Sequence, residues 1–125
     1  MPSPSELLAR LPRPVRLGLY ALASLVLLYM ALAPTHDVPG VDLVWDKAEH
    51  SVSWMVLTLL GLLLSTRRRW AIVAYALAFG GLIEVLQWLL PFGRDGEWAD
   101  FAADAVGVAT AYFFWRIAWH LGWVT

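Results

Sequence analysis

The chain has 125 residues, is 60% hydrophobic, carries a formal net charge of -1 and contains no cysteine. This small charge gives no electrostatic basis for binding nucleic acid, and the lack of cysteine excludes disulfides, thiolate catalysis, iron–sulfur clusters and thiol-ligated zinc. Soluble domains are about half apolar, so this composition, together with eight tryptophans, indicates that lipid is the solvent.

Four apolar stretches are each long enough to cross a bilayer as a helix. A helix rises about 1.5 Å per residue, so about 20 residues cover the hydrocarbon layer. The stretches are roughly residues 17–33, 45–65, 70–90 and 98–119. The sequence therefore predicts an all-α integral membrane four-helix bundle, with one domain over residues 17–125 and a preceding segment over residues 1–16.

The first stretch has a second interpretation, as a cleaved signal peptide. Arginines precede it and the tripeptide Ala-Leu-Ala at its end resembles a cleavage site. Its apolar core is longer than the roughly 7–15 residues of a signal peptide, and Pro34 would directly follow the cut. We therefore expect a retained helix.

The charges that flank the helices predict their orientation. Arg10, Arg13 and Arg16 precede the first helix, and residues 67–69, all arginine, fill the connection between the second and third. Basic residues next to spanning helices stay in the cytoplasm. The other two connections carry acidic residues instead: Asp37, Asp42, Asp95 and Glu97. We expect both termini inside (N-in/C-in), with residues 1–16 as a cytoplasmic N-terminal segment.

Polar side chains from three helices are predicted to share one depth near the outer surface. His50, Glu84 and Asp104 each lie about five or six residues, or roughly 7–9 Å, below the outer end of their helix. Ionisable groups at such depth are costly unless they are paired, and they are functional candidates by default. On the same helical faces, nearer the surface, lie Asp46, Gln87 and Asp100.

Four short motifs occur in a recognisable order, namely "DKAEH" (46–50), "EVLQ" (84–87), "PFGR" (91–94) and "DFAADAVG" (100–107). Together they resemble the VanZ-like family of small bacterial integral membrane proteins, whose founding member is associated with resistance to the glycopeptide antibiotic teicoplanin. The resemblance implies a multi-pass protein of the bacterial cytoplasmic (inner) membrane with a role in the cell envelope. Asp104 is a departure, because the family pattern commonly has Asn there.

The first functional hypothesis is an enzyme or binding protein for an amphiphile, either a membrane lipid or a lipid-linked envelope precursor. Lys47 and Arg94 offer positive charge to a phosphate or carboxylate head group. The remaining residues expected to contact it are Gln87, Asp46 and Asp100. Below them, Glu84, His50 and Asp104 are the candidate catalytic residues, with Glu84 and His50 as base and acid. The alternative role for Lys47 and Arg94 is a salt bridge to Asp46, Asp100 or Glu49.

Two other hypotheses stay open. The same three residues, His50, Glu84 and Asp104, form a ligand set of the kind that zinc or manganese accepts, although no local metal-binding motif is present. The other hypothesis is a non-catalytic membrane subunit, or an oligomeric transporter or channel formed by several copies of this chain. In either case the polar cluster would serve to fix helix packing. The sequence does not decide whether the protein is an enzyme, and it identifies no cofactor. Trp88 and Trp98 have two interpretations. They are part of the aromatic belt at the membrane interface, or they stack on a sugar or drug ring.

Overall fold

The computed structural model describes residues 1–32, 43–90 and 97–125, except for the side chains at 43–46 and 66. This part of the chain is helical and contains no strand, so the predicted all-α class is confirmed. Each of the four long helices begins and ends within four residues of a predicted stretch. The helices are α1 (Pro4–Ala9), α2 (Arg13–Leu32), α3 (Leu43–Leu64), a 3-10 turn (Thr66–Arg68), α4 (Arg69–Leu89) and α5 (Trp98–His120).

The short helix α1 was not predicted. Its first turn is closed by a capping box, in which the Glu6 backbone N–H donates to Ser3 Oγ at 3.2 Å and the Ser3 N–H donates to Glu6 Oε2 at 2.9 Å. Pro4 occupies the first helical position, where its missing N–H has no helical partner to lose. The spacing Ser-x-x-Glu was the signal that could have revealed this helix.

Two hydrogen bonds from side chains to backbone carbonyls show the relative directions of α2, α3 and α4. Arg16 donates from Nη1 to the Leu64 carbonyl at 2.9 Å, which joins the start of α2 to the end of α3. Gln87 donates from Nε2 to the Ala31 carbonyl at 2.8 Å, which joins the ends of α4 and α2. Hence α2 and α4 run in one direction and α3 runs in the opposite one.

The two termini meet at the end of the bundle where α2 begins. Ser5 is buried, with 2% of its surface exposed, and its Oγ accepts a hydrogen bond of 2.9 Å from the Thr125 backbone N–H. The last residue of the chain therefore lies against α1.

Helix α3 packs chiefly against α5, and a glycine permits their close approach. A Cβ atom placed on Gly107 would overlap the Ser51 carbonyl, so only glycine fits at this position. Next to it, Ser51 Oγ donates to the Ala103 carbonyl at 2.7 Å. Trp54 lies in the core below, where its Nε1 donates to the Ala76 carbonyl of α4 at 2.9 Å.

The outer surface of α2 has the polarity expected of a helix in lipid. The one buried residue of α2, a helix that the structure describes throughout, is Ser24, whereas large apolar side chains lie on the exposed surface. By length and composition, α2 and α4 are two helices that can cross a membrane. Helices α3 and α5 differ from them in carrying acidic residues in their first turns, whereas α2 and α4 begin with arginine. The exposed apolar residues of α2 include Leu17, Leu22, Leu25, Val26 and Met30.

Candidate functional site

The polar side chains of three helices meet at the end of the bundle opposite the termini. His50 lies near the start of α3, Asp104 near the start of α5, and Glu84 near the end of α4. One nitrogen or carboxylate oxygen from each residue lies within 4.8 Å of the others. The predicted convergence of these three residues is thus observed, while their chemical roles stay predictions.

Asp104 positions the ring of His50. Asp104 is completely buried, and its Oδ1 lies 2.9 Å from Nδ1 of His50, within hydrogen-bonding distance. On the other side of the ring, Nε2 lies 3.7 Å from Oδ2 of Asp100. Since carboxylates from α5 flank both ring nitrogens, the imidazole is held in one orientation between α3 and α5.

Glu84 is buried as well, and it binds the beginning of α5. Its Oε2 accepts a hydrogen bond of 2.9 Å from the backbone N–H of Glu97, the residue that precedes the helix. The N-terminus of a helix carries a partial positive charge, so this contact stabilises a carboxylate. The sequence predicts only that Glu97 lies in an outer connection, and it does not reveal this contact because the donor is a backbone N–H.

Several buried oxygens at this site have no hydrogen-bond partner among the described residues. They are Oε1 of Glu84, Oδ2 of Asp104 and Oε1 of Gln87. Buried polar atoms in native proteins almost always have a partner, either in the protein or in a bound molecule. Three such oxygens in one region therefore indicate a place where a ligand, an ion or water completes the structure.

Lys47 joins α3 to the beginning of α5. Its Nζ donates to Oε2 of Glu97 at 2.8 Å and also to Oδ1 of Asp100. The salt-bridge alternative is therefore observed for Lys47, with Glu97 and Asp100 as the acids. Its ammonium is already bound to two carboxylates, and the proposed recognition of a head group by Lys47 stays a prediction.

Of three further predicted site residues, the structure describes the side chain of one, Gln87. Gln87 is buried, and its amide Nε2 donates a hydrogen bond to the Ala31 carbonyl of α2. Arg94 lies outside the described residues, and so does the side chain of Asp46. Their expected contacts with a head group stay predictions.

Acidic groups dominate the described part of the site. Four carboxylates, Glu84, Glu97, Asp100 and Asp104, face one ammonium, Lys47, and the imidazole of His50. Such a surface suits a cation or a ligand rich in hydrogen-bond donors. The residues able to hold a metal ion are His50, Glu84 and Asp104, since an imidazole nitrogen and carboxylate oxygens are ligands for zinc and manganese.

A cavity of about 170 Å³ opens directly beside this cluster. Glu84 belongs both to the cluster and to the wall of the cavity, and two exposed tryptophan rings stand at the opening. A cavity of about 150 Å³ holds a group the size of a benzene ring, so one sugar-sized group is an appropriate scale. The lining residues are Glu84, Val85, Trp88, Glu97 and Trp98.

The comparison with known protein families gives one match. A model of the VanZ/LLP1 family matches residues 19–119, a range that contains the whole of α3 and α4, α2 from residue 19 onward, all of α5 but its last residue, and every residue of the site. No curated protein and no solved structure matches the chain.

Proposed function

The chain belongs to the VanZ/LLP1 family, and we propose that it is a multi-pass protein of the bacterial inner membrane whose outward-facing site binds the head group of an amphiphilic envelope component. Family membership and the two apolar helices α2 and α4 indicate a membrane protein. In the proposal α3 and α5 also span the bilayer, and their ionisable first turns lie near the outer surface.

The orientation with both termini inside is supported by where the arginines lie. A cavity of about 400 Å³ at the terminal end of the bundle is lined by arginines from both basic clusters. Basic residues close to spanning helices favour the cytoplasmic side. The acidic site then faces outward, where the connections are acidic in sequence. The arginines that line this cavity are Arg13, Arg16, Arg67 and Arg68.

The observation that carries the proposed binding function is the position of Glu84 in the wall of the cavity. A group that enters between Trp88 and Trp98 reaches a carboxylate that belongs to the buried cluster. Carboxylates accept hydrogen bonds from hydroxyl groups, and tryptophan rings offer flat apolar faces to a sugar. The acyl chains would remain in lipid beside exposed apolar residues such as Leu89. A hydroxyl-rich head group is therefore the best fit.

A second candidate function is supported by the interhelical contacts themselves. His50 bonds Asp104 between α3 and α5, Glu84 bonds the start of α5, and Lys47 bonds Asp100. A cluster of this kind can fix the packing of a non-catalytic subunit or of a homo-oligomeric transporter. This candidate predicts no preference for any head group.

Native mass spectrometry with matched lipids tests the proposal. The purified protein is offered glucosyl-diacylglycerol and diacylglycerol of identical acyl chains, and the wild type should retain more of the glycosylated lipid. Trp88→Leu, at the cavity, should reduce this preference, whereas Trp70→Leu, an exposed tryptophan near the opposite end, should not. Equal retention of the two lipids by the wild type would favour the packing function.

A further inference from the structure

We infer that His50, Glu84 and Asp104 bind a divalent cation, with zinc or manganese as the class of ion that their mixed nitrogen and oxygen ligands suit. Each residue comes from a different helix, and one ligand atom from each lies within 4.8 Å of the other two. A cation at this position would therefore connect α3, α4 and α5 through a single centre.

Unpartnered carboxylate oxygens give the second reason. Glu84 has 5% of its surface exposed and Asp104 has 0%, yet Oε1 of the first and Oδ2 of the second have no partner among the described residues. Glu84 can bind an ion through Oε1 and keep the bond from Glu97 N–H to Oε2. A cation would thus satisfy two buried oxygens while the bond from the Glu97 N–H to Glu84 stays in place.

Charge balance gives the third reason. Lys47 bonds Asp100 and Glu97, so the ammonium is engaged by carboxylates that lie outside the three proposed ligands. Glu84 and Asp104 together carry two negative charges when both are ionised, and His50 binds a metal as the neutral imidazole. A divalent cation matches those two charges. Neighbouring carboxylates in a buried site are otherwise mutually repulsive.

Binding of the ion requires the three ligand side chains to move slightly closer together. A tetrahedral ion with ligand bonds of about 2.1 Å holds its ligands about 3.4 Å apart, so the three side chains must approach one another by roughly an ångström. Three protein ligands leave a fourth position open. We assign that position to a phosphate oxygen where the hydroxyl-rich head group carries one, a step that rests on the proposed function, because the Lys47 ammonium is already engaged by carboxylates.

Titration with the metal alone tests the ion site. Chelator-treated protein in detergent, titrated with ZnCl2 and with MnCl2 in a calorimeter, should bind one ion per chain and melt at a higher temperature with the ion bound. Glu84→Gln and Asp104→Asn should each weaken binding by at least about tenfold. Glu49→Gln, an exposed carboxylate next to His50 in sequence, should bind as the wild type does. Absence of saturable binding, or wild-type affinity in both ligand variants, would overturn the inference.

Melting of the metal-free proteins separates a lost ligand from a damaged fold. Glu84→Gln removes one of two neighbouring buried charges, so without metal it should melt no lower than the metal-free wild type. The rise in melting temperature on adding metal should be lost in Glu84→Gln and should persist in Glu49→Gln. A rise of equal size in both variants would contradict the assignment of Glu84 as a ligand.

A lipid comparison separates this inference from the proposed function. Phosphatidic acid and diacylglycerol of identical chains are offered to the protein with bound cation and after chelation. A preference for phosphatidic acid that chelation abolishes supports the bridging ion. A preference that survives chelation overturns the bridging role and leaves head-group binding intact. Saturable binding of the ion without any preference among the lipids, glycosylated ones included, would contradict the proposed function and leave the ion site intact.

Discussion

At the scale of single residues, Asp104 shows how one side chain serves both packing and the site. It is fully buried, and a Cβ atom on Gly80 of the neighbouring helix would lie 3.0 Å from its Oδ2. Glycine at position 80 therefore provides the space that the carboxylate occupies. Through Oδ1 the same side chain holds the ring of His50, so Asp104 acts on the site as a positioning residue as well as a proposed ligand.

The salt bridge between Lys47 and Asp100 should contribute measurably to stability. Asp100 has 8% of its side chain exposed and Lys47 has 28%, so the pair lies between an exposed and a buried salt bridge. Lys47→Gln leaves the buried carboxylate without its ammonium, and we expect a loss of about 1–3 kcal/mol in the free energy of unfolding. The measurement is denaturant unfolding in detergent micelles.

A double-mutant cycle provides the control for that prediction. Adding Asp100→Asn to Lys47→Gln removes the uncompensated charge and should recover part of the lost stability. Losses that simply add in the double variant would show that the two side chains do not interact, in contradiction to the observed salt bridge.

At the scale of helices, the contact between α3 and α5 depends on Gly107. An added methyl group would overlap the Ser51 backbone carbonyl, and two helix backbones cannot yield as a flexible side chain can. We expect Gly107→Ala to reduce the free energy of unfolding by about 1–3 kcal/mol, as overpacking generally does. It should also weaken the site, because His50 and Asp104 are brought together by the same pair of helices.

Gly18 supplies the matched comparison in α2. A Cβ atom placed there meets nothing within 4 Å, so Gly18→Ala should be neutral or should stabilise the helix by about 0.5–1 kcal/mol. Thermal melting of both variants under the same conditions checks the pair. A loss of stability in Gly18→Ala that equals the loss in Gly107→Ala would rule out the close helix contact as the cause.

The long helices were predictable from the sequence because their apolar length matches the thickness of a bilayer. The convergence of His50, Glu84 and Asp104 was predictable as well, since helix direction and a rise of about 1.5 Å per residue determine depth. The role of Glu97 was not, because it depends on where α5 begins and on a backbone N–H. The hydrogen bond between Ser5 and Thr125 could not be predicted from the sequence either, since no local pattern relates residues 120 positions apart.

At the scale of the whole molecule, the adjacent termini and the alternating helix directions make the topology testable. The chain has no cysteine, so each single cysteine variant carries one reactive thiol. In intact spheroplasts, Arg10→Cys and Arg68→Cys should resist a membrane-impermeant thiol reagent, while Gly96→Cys should react, since arginine-rich segments stay inside. Labelling of Arg68→Cys together with protection of Gly96→Cys would reverse the orientation and place the acidic site in the cytoplasm.

Photo-crosslinking in living cells can show whether an envelope amphiphile binds beside Glu84, as proposed. A photoreactive amino acid replaces Trp98 at the cavity or, as the comparison, exposed Trp70 near the opposite end. Mass spectrometry of the illuminated protein then identifies the attached lipids. We expect a lipid with a sugar or phosphate head group attached at position 98, in an amount much reduced by Glu84→Gln. We also expect lipid attachment at position 70 that this substitution leaves unchanged. The same lipids at both positions, in amounts that do not depend on Glu84, would contradict the proposed binding beside Glu84.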